Sequence, residues 1–196
     1  MAGDTIQLQP IVIETIRVPI VGQTPLVIHA WSEKAKTTMR DKQGGKVVRK
    51  KDPKDPQAEY EAAFHRLPDG RPGFPASGFK AATIQGARCF DNVTMASLKA
   101  AIFVMGEGPD QLVPIEGEPE MWEAPVRIAM GTTDLRYRPR FWPWSATLTV
   151  KFNALLLSQE AVVNLINAGG LGGVGEWRPT SPKSYSGSYG MYEVKR

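Results

Sequence analysis

Cysteine and histidine are nearly missing from this chain: its 196 residues include one cysteine, Cys89, and two histidines, His29 and His65. A single thiol excludes an intrachain disulfide framework and a cysteine-based zinc site. Next to Phe90 in an expected helix, Cys89 reads as a buried free thiol. Two histidines leave little for a metal centre, so no metal and no cofactor is expected. No apolar run approaches the length of a bilayer span, and Met1-Ala2-Gly3-Asp4 lacks a basic, apolar signal segment. The expected setting is a reducing cytoplasm, with no membrane partner. Charge of one sign is in short supply too: 24 Lys+Arg against 20 Asp+Glu leave +4. That balance permits a polyanion partner, and the placement of charge matters more than its total.

Enzyme signatures are also wanting. There is no GxxxxGK[ST] phosphate loop, no G-x-S-x-G elbow, and no histidine near Cys89 in sequence. Glu116, Glu118, Glu120 and Glu123 read as solvent-facing on an exposed hairpin, and His29, in an apolar stretch, reads as a core or interface histidine. Asp134, His29 and His65 are the only residues that suggest RNA cleavage, and they form no visible acid–base pair. The expectation is a protein that is not an enzyme.

What the chain does have is a clear alternation of elements. Thr5 to Val21 reads as a long strand with a bulge, and Ser32 caps a helix from Glu33 to Asp41. From Gln43 to Pro75 the pattern dissolves into a mobile basic insertion, with a helical piece around Gln57 to Phe64. Pro75-Ala76-Ser77 opens a helix running to Cys89, and Thr94 caps another that carries Leu98, Ile102 and Met105. Val113 to Trp122 forms a hairpin and Ala124 to Met130 a strand. Leu135 to Leu157 is one long strand whose tryptophans, Trp142 and Trp144, share the core-facing parity with Phe152. Ser158 caps a helix from Gln159 to Asn167, and Gly187 to Val194 closes the chain. Without its insertions the order is strand, helix, strand, strand, helix, strand. That is the α+β split βαβ plan, ferredoxin-like or RRM-like, in one domain spanning 1–196 with extra helices and the insertion at 43–75.

Two segments suit contact with a single strand of nucleic acid. In Arg136-Tyr137-Arg138-Pro139-Arg140-Phe141 the three arginines project from one side of an extended chain, Tyr137 and Phe141 from the other. Guanidinium groups meet phosphates and flat rings stack on bases, the latter worth about 1–3 kcal/mol each. In Gly169-Gly170-Leu171-Gly172-Gly173-Val174-Gly175-Glu176-Trp177-Arg178, glycine-dense backbone demands positive φ or a close approach, and Trp177 and Arg178 stand at its exit. A helix-capping turn satisfies the same glycines. Lys46, Arg49, Lys50, Lys51 and Lys54 add a basic cluster that reads either as a solvated loop or as a grasping arm.

Gly73-Phe74-Pro75-Ala76-Ser77-Gly78-Phe79-Lys80 resembles the I-P-[GA]-S-S-[LF]-K-G stretch of the RAMP superfamily, which includes backbone subunits of CRISPR effector complexes. Gly169 to Arg178 is similar in placement to that family's C-terminal glycine-rich loop, and Thr5 to Leu26 to its first strand. The resemblance implies a ferredoxin-like core with an inserted thumb, polymerised along single-stranded nucleic acid, in a host CRISPR component or a phage-encoded relative. It implies that Ser77 and Lys80 touch backbone phosphates and that Gly172, Gly173 and Gly175 let the strand come close. The expected function is non-catalytic binding of single-stranded DNA or RNA by a homo-oligomer or filament. The rivals are a phage virion or assembly protein and an RNA-processing endonuclease.

Overall fold

The structure, a computed structural model, describes residues 10–45, 53–127, 133–182 and 186–195. Strand β1 (Ile13–Gly22) exposes Arg17 and Pro19 in alternation with the buried Val18 and Ile20, the period of an extended chain with one covered face. After β2 (Leu26–Val27) comes α1 (Glu33–Gln43), whose Ser32 cap accepts the Ala35 N–H at 3.1 Å. The insertion expected over 43–75 is built into the fold from residue 53 onward, as α2 (Pro56–Ala62), β3 (His65–Arg66) and β4 (Pro72–Pro75). Its anchors are Ala63, Phe64 and Leu67, all buried, with Phe64 edge-on to Phe141 at 6.3 Å. The charged residues around those three had hidden them.

Helix α3 (Ala76–Gln85) is preceded by Pro75, has no side-chain cap, and tightens into a 3-10 turn over 86–89. Cys89 at the end of that turn is exposed, not buried as expected, because the helix has already ended. Thr94 caps α4 (Met95–Ala101), accepting the Ser97 N–H at 3.2 Å. The helix expected to run on to Met105 stops there, and the segment that follows, with the strand-favouring Ile102, Phe103 and Val104, becomes β5 (Ile102–Met105). Next come β6 (Leu112–Pro114), β7 (Pro119–Arg127), β8 (Thr133–Phe141) and β9 (Ser145–Asn153). Helix α5 (Gln159–Gly172), capped by Ser158, and β10 (Tyr192–Val194) complete the set.

The hairpin expected over 113–122 is absent: β6 pairs with β4, and β7 pairs with β8. The single strand expected over 135–157 is two strands in different sheets. Phe141 and Trp144 are both buried three positions apart, which an uninterrupted strand with one covered face does not allow. Trp144 is 3% exposed and belongs to the core, whereas Trp142 is 51% exposed and does not.

The elements form a mixed α/β architecture with antiparallel sheets. Four strands run in the order β10-β1-β9-β5, every neighbouring pair antiparallel. One face of this sheet presents Val18, Ile20, Leu148, Val150 and Phe152 to α3 and α5, which contribute Phe79, Ile84, Leu165 and Ile166. Two three-stranded sheets, β2-β8-β7 and β3-β4-β6, adjoin it. The chain after α5 ties the first two together: Val174 N–H donates to Gly190 O, and Glu176 N–H donates to Val27 O, both at 2.9 Å.

Candidate nucleic-acid interface

Helix α5 extends to Gly172 and so takes in three of the five glycines of the run that looked like loop. Its glycines serve close packing. A Cβ on Gly169 would lie 2.6 Å from Ala82 O of α3, and one on Gly170 would collide with the carbonyl of Tyr192 on β10. The turn begins at Gly173 (φ 67°), whose N–H closes the helix on Gly169 O and Gly170 O at 3.2 Å. Gly175 (φ 77°) lies tight against the Val27 carbonyl and the Leu26 side chain. The surface these glycines approach most closely is the protein's own backbone.

Even so, the turn has an open side. Gly173, Gly175 and Arg178 face Gly78, Ala81 and Gln85 of α3 across a recess of about 140 Å³. An adjoining recess of about 240 Å³ shares Gln85 and Thr180 and continues past Gly172 to Arg88 and Cys89. Arg178 Nη1 donates to Gly175 O at 2.8 Å, which holds the guanidinium at the rim. Among the described residues, no carboxylate comes within ion-pair distance of Arg178 or Arg88. Gln85, Arg88 and Thr180 went unnoticed in the sequence, although the small, polar stripe Ser77–Ala81–Gln85 at helical spacing is a readable sign of an uncovered face.

The other expected contacts are placed differently. Ser77 is exposed in the first turn of α3, beside Gly78 at the recess. Lys80 is turned to the β5 side: its ammonium donates to Lys99 O at 3.0 Å and lies 4.2 Å from the Phe103 ring centroid. Lys46, Arg49, Lys50 and Lys51 lie outside the described residues. Lys54 pairs with Asp134 and donates to Leu135 O at 2.6 Å.

The arginines of β8 do share one face, opposite Ala124, Trp122 and Glu120 of β7. Each has a carboxylate: Arg136 on Asp134 at 3.0 Å, Arg138 on Glu176 at 3.2 Å, Arg140 on Glu120 at 2.7 Å. Arg138 is 8% exposed, its Nε has no partner, and its guanidinium sits 5.0 Å from the Trp177 ring. Desolvation lowers its pKa, with Glu176 opposing. The imidazole of His29, 3.8 Å away, holds the Glu176 carboxyl below its usual range, burial opposes this, and Arg138 reinforces it. Trp177, at a positive φ of 51°, packs edge-on to Trp122 at 4.9 Å, and Tyr189 covers Trp122 at 5.4 Å. The exit of the glycine turn and the arginine strand therefore do meet, as a closed intramolecular network and not as free cations. None of the three carboxylate partners was legible as such in sequence.

Of the residues that suggested cleavage, Asp134 is held in ion pairs, His29 leans on Glu176, and burial lowers the pKa of His65. Among the described residues, no group of three or more His, Cys, Asp or Glu is placed to hold a metal, and no helix is long and apolar enough to cross a membrane.

The fold and recesses define an α/β protein with a basic-rimmed cleft between two helices. No protein-family model and no curated protein matches the sequence. Among solved structures the chain is similar to the Type III-B Cmr-beta complex bound to cognate target RNA, with 9% identity and a TM-score of 0.48. That likeness covers 94% of this chain and 59% of the other, so the chain spans about three fifths of that neighbour's length. It is also similar to Cmr6 from Pyrococcus furiosus, with 12% identity, a TM-score of 0.43, and coverage of 94% and 99%.

Proposed function

We propose that this protein binds single-stranded nucleic acid without cutting it, and that copies line up side by side along the strand. The observation that carries the reading is the recess between α3 and the turn after α5. It is floored by small residues and positive-φ glycines and rimmed by two guanidinium groups, Arg178 and Arg88; among the described residues neither has a carboxylate within ion-pair distance, and Arg178 feels the charge of Glu176 from further off. Small side chains admit a sugar–phosphate backbone closely, and unpaired guanidinium is suited to phosphate. The order β10-β1-β9-β5, with α3 and α5 on one face, supports the split βαβ, ferredoxin-like plan. The protein needs no metal or cofactor for this task and works in the cytoplasm.

Side-by-side assembly has its own support. Ile11, Val12 and Ile13 at the start of β1 and Leu155 and Leu156 beyond β9 are exposed at one end of the sheet, bridged by the Ala154 N–H donating to Val12 O. The same patch favours the rival reading of an assembly protein that meets only protein.

Titrating labelled single-stranded DNA and RNA at 50 and 200 mM salt tests the proposal. The expected log–log slope is about −0.7 per neutralised phosphate, and Arg88→Glu with Arg178→Glu should lower affinity. Undetectable or salt-insensitive binding, with oligomers unchanged by nuclease, overturns it in favour of the assembly protein.

A further inference from the structure

The face of the four-stranded sheet away from α3 and α5 carries a pattern that the recess does not use. Thr15 of β1, Lys151 of β9 and Phe103 of β5 lie in one row across three neighbouring strands; Arg17, Thr149 and Met105 form the next row. Phe103 is 41% exposed, an aromatic ring in the same rows as Thr15, Thr149, Lys151 and Arg17. Arg17 and Lys151 are exposed, and among the described residues neither has an ion-pair partner, in contrast to the three neutralised arginines of β8. Lys80 adds a third cation at the Phe103 ring.

We infer that this open sheet face is a second contact surface for single-stranded nucleic acid, with Phe103 stacking on a base and Arg17, Lys151 and Lys80 meeting phosphates. Charge complementarity selects the occupant. Two unneutralised cations in adjoining rows beside one exposed ring are costly to bury against protein, yet they supply what a polyanion with flat bases requires. Arg17 and Lys151 are diagonal neighbours, with backbones about 7–8 Å apart, so one strand lying across the sheet reaches both. Thr15 and Thr149 offer hydroxyls between them, on strands too rigid to need ordering on binding. The surface is distinct from the recess, since Phe103 and Lys151 line neither cavity.

This inference rests on the proposed nucleic-acid binding, and its test separates the two. Anisotropy titrations with a single-stranded 24-mer compare the parent with Phe103→Ala, Phe103→Tyr, the double variant Arg17→Ala/Lys151→Ala, and Arg178→Glu as the recess control. Phe103→Ala is expected to weaken binding about tenfold, while Phe103→Tyr, which keeps a stacking ring, binds within about twofold of the parent. The double variant should flatten the log–log salt slope by about 1.4. Its side chains are exposed, so it carries the test even where Phe103→Ala melts early. If the sheet variants bind like the parent while Arg178→Glu does not, the sheet face is overturned and the recess stands. If the parent binds neither DNA nor RNA, the proposed function fails and this inference fails with it.

Discussion

Replacing Gly169 by alanine sets two known effects against each other. In an ordinary helix interior the change stabilises by about 1 kcal/mol, because alanine loses less backbone freedom on folding. Here the new methyl would lie 2.6 Å from Ala82 O, 2.7 Å from Ala82 C and 2.9 Å from Thr83 N, all backbone atoms of α3. The nearest is 0.8 Å short of the 3.4 Å at which ordinary contact begins, and no side-chain rotation relieves it. Moving one helix off another in a filled core costs about 1–3 kcal/mol and sometimes more, and a backbone-on-backbone collision belongs at the top of that range. The net expectation is a loss of about 2 kcal/mol, a fall in Tm of about 4–8 °C for a chain of this size. Gly172→Ala is the paired control: its methyl meets only the Thr180 side chain, with Cγ2 at 2.9 Å and the next atom at 3.7 Å. Turning that side chain away gives up the Thr180 hydroxyl bond to Gly172 O at 2.8 Å, so the variant should lose about 1 kcal/mol, less than Gly169→Ala. Thermal unfolding by circular dichroism of both variants decides the matter. A Gly169→Ala protein as stable as the parent would refute the view that this glycine is there for helix contact.

Glu176→Gln leaves the nearly buried Arg138 without its counter-charge. The Glu176 side chain is 41% exposed, so water tempers the loss to about 1–2 kcal/mol; an unchanged melting temperature at pH 7 would show the pair to be energetically silent. His65 supplies a pH signature. Burial, then the nearby His29, lowers its pKa, so the folded protein favours the neutral ring. Its stability contribution is complete above the ordinary value of 6.5 and is lost as pH falls below it toward the lowered one. Melting should therefore become easier between pH 7 and 5, and less steeply so in His65→Gln; equal slopes count against the assignment.

Local signals in the sequence were dependable. Ser32, Thr94 and Ser158 mark helix starts because a hydroxyl at that position meets an N–H three residues on, and the β9 alternation is fixed by one covered face. The shared side of Arg136, Arg138 and Arg140 was legible for the same reason. What failed was non-local. Leu98, Ile102 and Met105 fit helical spacing, yet pairing with β9 pulled Ile102–Met105 into a strand. Glu120 and Glu176, which neutralise two of the β8 arginines, stand 20 and 38 positions away from them, beyond the reach of any spacing rule. The glycine run showed that something comes close, and only three dimensions showed that it is Ala82, Tyr192 and Val27.

The recess walls come from Gly78 near the middle of the chain and Arg178 near its far end, joined only when the turn after α5 folds back and Glu176 bonds Val27 of β2. Such distant partners close late in folding. A half-folded chain presents no cleft at all, so capture of a ligand there would itself report that folding is finished.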